Sequence, residues 1–212
     1  MVKSYISRNK WAQNCYYIQT KRGGSYLVDP GCPSGGFVDT FELHRVSSLT
    51  VLLTHGHHDH MMGLTRLKNF SHESVYLDNK DEFLAKLAPN FSKLMDGCMD
   101  FRIPKFSGFE ALLDNDVEIL QTPGHTPGSC SLAFNEHACV FVGDLIFDGK
   151  VGRCDGPRAC RDTLLASIEK VISHFAGFTL YPGHGPSLNV DDLCISDIEK
   201  WPEYREFGWE SD

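Results

Sequence analysis

Short runs of apolar and β-branched residues alternate with longer amphipathic stretches from one end of the chain to the other. Residues 3–7, 15–20 and 25–29 predict strands, the last stopped by Pro30 and Gly31. Residues 37–46 have helical spacing, with Phe37, Phe41 and Val46 apolar and charges between them. Residues 49–54, all leucine, valine or threonine, predict a buried strand. Then follow a strand at 74–77, a helix at 80–87 and a loop rich in Phe, Met and Gly. Residues 117–121, 130–134 and 139–142 read as three more strands, the last two separated by a polar turn at 135–137. The clearest amphipathic helix spans 158–175, with Leu164, Leu165, Ile168, Val171, Ile172 and Phe175 on one side. A strand at 178–181 closes on Pro182-Gly183-His184, and a last helix at 191–200 stops at Pro202. This alternation predicts a mixed α/β layered fold.

Composition narrows the picture. The chain has 212 residues, 42% hydrophobic and 23% charged, enough for one domain over 1–212 with a short acidic tail from about 201. A formal charge of -8 weighs against nucleic-acid binding, which needs a basic face for phosphates. No apolar stretch approaches the roughly 20 residues that span a bilayer. Residues 1–14 lack the apolar core of a secretory signal, so the expected address is cytoplasmic. Eight cysteines with no C-x-x-C pair are then expected to be reduced, mostly as small buried hydrophobes, with Cys154 and Cys160 near the candidate site.

The chemistry gathers at strand ends. Thr54-His55-Gly56-His57-His58-Asp59-His60 follows one strand directly. So many imidazoles beside a carboxylate need partners if buried, and a divalent cation supplies them. His125 sits in a Pro-Gly-His turn after a second strand, Asp144 follows Gly143 after a third, and His184 ends a second Pro-Gly-His turn. Proline and glycine fix such backbones and leave the imidazole at the tip. The remaining histidines, His44, His72, His137 and His174, read as surface or capping residues. Phe106 and Phe109 read as packing residues, with a place at a substrate mouth as the alternative.

The pattern H-x-H-x-D-H, then H, D and H, resembles the metallo-β-lactamase superfamily over nearly the whole chain. The resemblance implies a single-domain four-layer αβ/βα sandwich holding two divalent metal ions at one sheet edge. His55, His57 and His125 would bind the first, Asp59, His60 and His184 the second, and Asp144 would bridge them. His58 occupies the variable position. His57, where the flavodiiron branch has Glu, argues against that branch, and this ligand set argues against the lactamases that use a Cys ligand. Zinc suits these ligands, as do iron and manganese.

Gly143-Asp144-Leu145-Ile146-Phe147, then Val151-Gly152-Arg153-Cys154-Asp155, and the ending Pro182-Gly183-His184-Gly185-Pro186 resemble the short members of the glyoxalase II-like branch. That resemblance implies hydrolysis of a small anionic thioester, of hydroxyacylglutathione type, by attack of a metal-activated hydroxide. Asp59 and Asp144 would be the catalytic carboxylates, and Arg153 and Lys150 the substrate-binding cations. Two departures stand out: the basic C-terminal helical region of the full-length enzymes is replaced by an acidic tail, and Asp155 stands where they place a substrate-contacting Tyr. The alternatives are a mononuclear-iron persulfide dioxygenase and a lactone or β-lactam hydrolase. An intact ligand set argues against a fold kept only as an interaction module.

Overall fold

The computed structural model describes residues 1–67, 72–97, 101, 103–112 and 116–204. Its first half builds a six-stranded sheet in sequential order: β1 (Val2–Ile6), β2 (Asn14–Gln19), β3 (Ser25–Val28), β4 (Leu49–Leu52), β5 (His72–Tyr76) and β6 (Phe106–Ser107). The first three strands are antiparallel, and pairing from β3 onward is parallel. The second half builds a five-stranded sheet from β7 (Glu118–Gln121), β8 (Cys130–Phe134), β9 (Cys139–Gly143), β12 (Thr179–Pro182) and β13 (Leu188–Asn189), in the order β13-β12-β9-β8-β7. A small hairpin, β10 (Ile146–Phe147) with β11 (Lys150–Val151), projects between β9 and β12 in sequence.

Period-two alternation sends neighbouring side chains of a strand to opposite faces, and here both faces are buried. From β2, Tyr17 stacks on Phe41 at 5.8 Å on the outer side, while Tyr16 meets Phe141 of the other sheet at 4.9 Å. The inner layer continues with Ile18, Val28 and Leu52 from one sheet and Leu132 and Phe134 from the other. On one outer face, β2, β3 and β4 bury Cys15, Leu27 and Val51 with Phe37 of α1 (Gly36–Thr40) and Ala85 and Ala88 of α2 (Glu82–Asp96). On the other, Val140 and Val142 of β9 pack with Leu164, Ile168 and Val171 of α3 (Arg161–His174) and Ile198 of α4 (Ile195–Ile198). Three apolar layers thus separate helix, sheet, sheet and helix, the four-layer αβ/βα sandwich expected from the sequence. Among the described residues, no helix is long and apolar enough to cross a membrane.

Four elements depart from the sequence expectation. The helix expected over 37–46 ends at Thr40, because Glu42 takes a left-handed conformation (φ 54°) before a 3-10 turn at Leu43–Arg45. The helix expected over 80–87 instead runs on through Pro89 to Asp96, where Gly97 caps it in the left-handed region. Ala88 and Ser92, both buried, hold that extra length onto the fold. The helix expected over 158–175 starts only at Arg161, since Arg158 has φ 64°. The helix expected over 191–200 is a 3-10 turn at Val190–Asp192 followed by the single turn α4.

The tail also has a definite place as far as Tyr204. Val151 N–H donates to Pro202 O (3.0 Å) and Tyr204 N–H to Val151 O (2.7 Å), adding residues 202–204 beside β11. The rest of the acidic tail, 205–212, lies outside the described residues.

Candidate metal centre

Four strand ends deliver the expected side chains to one place. The loop after β4 carries His55 through His60, the loop after β7 carries His125, the residue after β9 is Asp144, and His184 follows β12. His55, Asp59, His60, His125, Asp144 and His184 are all buried, and His57 is half-buried. At Gly183 an added Cβ would collide with Asp144 Oδ1 and His60 Cε1, so only glycine lets β12 end this close to the cluster.

Donor atoms converge in two groups, and His55, His60 and Asp144 make a third set that overlaps both. His55 Nε2 and His125 Nε2 lie 3.1 and 2.9 Å from His57 Nδ1, three imidazole nitrogens converging on one point. In the second group, Asp59 Oδ2 lies 3.5 Å from His60 Nε2 and 3.4 Å from His184 Nε2. Asp144 stands between the groups. Its Oδ2 is 3.6 Å from His125 Nε2, while its Oδ1 is 3.3 Å from His60 Nε2 and 3.7 Å from His184 Nε2. Asp59 Oδ2, His60 Nε2 and Asp144 Oδ1 are buried without a hydrogen-bond partner, and His184 Nε2 converges on the same point. Buried polar atoms in that condition are costly unless something else satisfies them, and a shared divalent cation fits this donor set.

The far side of three of the rings is fixed. His125 Nδ1 donates to Arg153 O (2.8 Å) and His184 Nδ1 to Trp11 O (2.8 Å), so that Nε2 is the nitrogen each ring turns toward the donor groups. His60 Nδ1 meets Asp29 Oδ2 at 2.9 Å. Asp29 is itself held by Thr54, whose N–H and Oγ1 donate to its carboxylate at 2.8 and 2.6 Å. Behind the first group lies Asp81, fully buried, which accepts from Gly56 N–H (2.9 Å), Gly128 N–H (2.7 Å) and Thr126 Oγ1 (2.6 Å). One carboxylate thereby ties the loop of His55 and His57 to the loop of His125.

Electrostatics divides the groups. Burial and the neighbouring rings push His55 well below the ordinary histidine value and His57 down to about 3, and burial also lowers His125. These three rings are neutral, the form that ligates. His60 and His184 are also pulled down by burial, but Asp144 and Asp59 outweigh it, raising His60 well up and His184 to about 8. For Asp59 and Asp144 burial acts upward, and the surrounding histidines, His60 foremost, overcome it and hold both carboxyls ionised. The second group is therefore a negative site that protons occupy when a metal cation does not.

A pocket of about 190 Å³ opens onto His57, Asp59, His125 and Asp144. Arg153 lines it, with Nε 3.0 Å from Asp155 Oδ1, a salt bridge within one loop formed by a half-exposed side chain that still borders the pocket. Lys150 stands exposed outside the lining, its Nζ 5.4 Å over the Tyr204 ring. His58 joins neither donor group: it lies between Trp11 (4.9 Å, edge-on) and Phe91 (6.1 Å), with Nε2 3.3 Å from Asp96 Oδ2 and Nδ1 3.8 Å from Asp59 Oδ1. Phe109 stacks on Tyr76 at 6.4 Å and Phe106 packs on the first outer core, so both pack rather than line the mouth. His44 is exposed, while His137 and His174 pair at the surface with Glu136 (2.9 Å) and Glu118 (2.6 Å). The side chain of His72 lies outside the described residues. Neither Cys154 nor Cys160 joins a donor group among the described residues.

Sequence reasoning missed Asp29, Asp81, Trp11 and Tyr204. For Asp29 a signal existed, an acidic residue at a strand end just before Pro-Gly. Tyr204 had none: it reaches the pocket through backbone pairing with β11 and stacks over His184 at 5.4 Å.

A four-layer sandwich with this histidine and aspartate set at its strand ends defines a class, and the sequence comparison agrees. The metallo-beta-lactamase superfamily profile matches residues 8–191, and the chain belongs to that superfamily. Among curated relatives, the hydroxyacylglutathione hydrolase GloC of Haemophilus influenzae is 32% identical over 192 residues, covering 84% of this chain and 88% of that protein. Among solved structures, TTHA1623 in a di-iron-bound form superposes with a TM-score of 0.78 at 29% identity, over 88% of this chain and 94% of that one. The BLEG-1 B3 metallo-beta-lactamase gives 0.76 at 28% identity, over 90% and 95%.

Proposed function

We propose that the chain is a dinuclear metal-dependent hydrolase of thioesters, with a hydroxyacylglutathione-type compound as the reference substrate. The observation that carries the two-metal reading is Asp144, one carboxylate oxygen turned to each donor group. His55, His57 and His125 would hold one divalent cation, Asp59, His60 and His184 the other, with Asp144 shared between them. Zinc suits the donors, and the di-iron form of TTHA1623 supports iron equally. When bound, two such cations supply Lewis acidity and acidify water toward neutrality without a strong protein base.

The chain's own residues do the rest. Asp59, ionised and buried at the edge of the pocket, accepts a hydrogen bond from the attacking water and orients it. His57 and His125, held neutral, keep their donor lone pairs facing inward. Arg153 lies at the wall where a substrate carboxylate would come to rest. The apolar lining keeps bulk water away from the scissile carbonyl. The likeness to GloC supports a thioester as the bond cleaved, and the likeness to BLEG-1 favours a β-lactam as the second reading. The seven described cysteines are all free, which supports a reducing, cytoplasmic setting.

The test is metal content of the purified protein, followed by thioester and β-lactam assays and oxygen uptake with glutathione persulfide. About two ions per chain, thioester cleavage and no oxygen uptake are expected, and Asp144→Ala should lose both metal and rate. One iron per chain with persulfide-dependent oxygen uptake would overturn the function and leave the fold. Full activity in Asp144→Ala would refute the two-metal scheme.

A further inference from the structure

Helix α2 carries an unusual face. Leu84, Leu87, Ala88, Phe91 and Met95 recur at helical spacing, and all five line the pocket at the metal centre. Part of that face is open to solvent: Leu87 is 42% exposed, Phe91 48% and Met95 41%. Among the described residues, the exposed large hydrophobic side chains are these three, Leu94 on the same helix, and Met1 and Ile6 at the N-terminus. Trp11, Phe147 and Tyr204 also line the pocket. Exposed apolar surface grouped at a functional cleft marks a binding site rather than chance exposure. Positive charge is scarce along the same lining: Arg153 is its one Lys or Arg among the described residues, and it is paired with Asp155.

We infer that the groove along α2 receives an apolar acyl group, so that the preferred thioesters carry a medium-chain or aromatic acyl half larger than a hydroxyacyl such as lactoyl. The inference rests on the thioester reading and adds the substrate class to it. A charged thiol half such as glutathione is left to the Arg153 side and to solvent, because the α2 wall offers it no ion pair. The size agrees. The pocket's volume of about 190 Å³ exceeds the roughly 150 Å³ of a dry apolar cavity that admits benzene. A six-carbon chain or a phenyl group is the scale that fills it.

The experiment is a series of glutathione thioesters, acetyl, lactoyl, butanoyl, hexanoyl and phenylacetyl, assayed for kcat/KM on the metal-replete protein. While methylenes are being buried, kcat/KM should rise by about fourfold for each one, with at least about a tenfold gain from acetyl to hexanoyl. Phe91→Ser and Leu87→Ser should flatten that slope. Leu94→Ser, on the same helix but outside the lining and 78% exposed, should keep it. Melting curves and metal content check that each variant is folded. A flat series in the wild-type protein overturns the inference while leaving thioester hydrolysis standing, and equal flattening by Phe91→Ser and Leu94→Ser overturns it as well. If no thioester is cleaved, the thioester reading fails by itself. The groove is then read by Trp11 fluorescence with acetate, butanoate and hexanoate: binding that tightens with chain length upholds apolar recognition, and binding indifferent to length overturns it.

Discussion

Replacing Asp81 by alanine unties two ligand loops with one change. Its Oδ2 accepts from Gly56 N–H at 2.9 Å and from Thr126 Oγ1 at 2.6 Å, and its Oδ1 from Gly128 N–H at 2.7 Å. Thr126 Oγ1 also lies 2.6 Å from Ser129 Oγ and keeps that partner, so the loss falls on two buried backbone N–H groups. Stranding each costs about 1–3 kcal/mol, and bonds to a carboxylate sit toward the upper end, so Asp81→Ala should destabilise by about 4 kcal/mol. In a chain of this size that is a fall in Tm of roughly 10 °C. Asp81→Asn keeps one acceptor but turns an NH₂ toward a donor, and about half the loss is expected. Gly56 lies between His55 and His57, and Thr126 follows His125, so the first donor group loosens too. Metal affinity there should fall by about 10- to 100-fold. Thermal melts of the metal-free protein and competition titration with a chromophoric chelator read the two effects separately. Melting within about 1 °C of wild type for both variants, with unchanged affinity, would refute the reasoning.

Two further outcomes follow from the site. A cation entering the second donor group must displace protons from His60 and His184, whose pKa values are raised, the latter to about 8; affinity there should weaken as pH falls below about 8 while the neutral first group changes less, and metal titrations at two pH values giving equal second-site affinities would contradict this. Arg153→Ala removes an ion pair between side chains 45% and 72% exposed, so stability should move by no more than about 0.5 kcal/mol; KM for an anionic thioester should rise several-fold, and unchanged kinetics would assign Arg153 to the loop alone.

The clustered histidines and aspartates were legible in the sequence because cation binding tolerates few side-chain types, and each sits within a few residues of a strand end that the apolar pattern marks. The residues that orient them were not. Asp29 and Asp81 are two acidic residues among 28, distinguished only by what long-range folding brings to them. Pro89 hid the second half of α2, since proline inside a helix ordinarily reads as an end; buried Ala88 and Ser92 hold the helix on beyond it. With that half taken for a loop, the apolar stripe of Leu87, Phe91 and Met95 had no periodicity to reveal it. Tyr204 depends on a main-chain pairing between the tail and β11, a contact no local pattern encodes.

The bond from His184 Nδ1 to Trp11 O joins positions 173 residues apart. During synthesis, the chain therefore carries its histidine-rich loop long before the last ring and its backbone anchor can meet. The first donor group can assemble once His125 has emerged; the second waits for β12, which must insert beside β9 to deliver His184. The centre is thus completed only once β12 has been made, and a nascent chain interrupted after α3 would lack the second group whatever metal surrounded it.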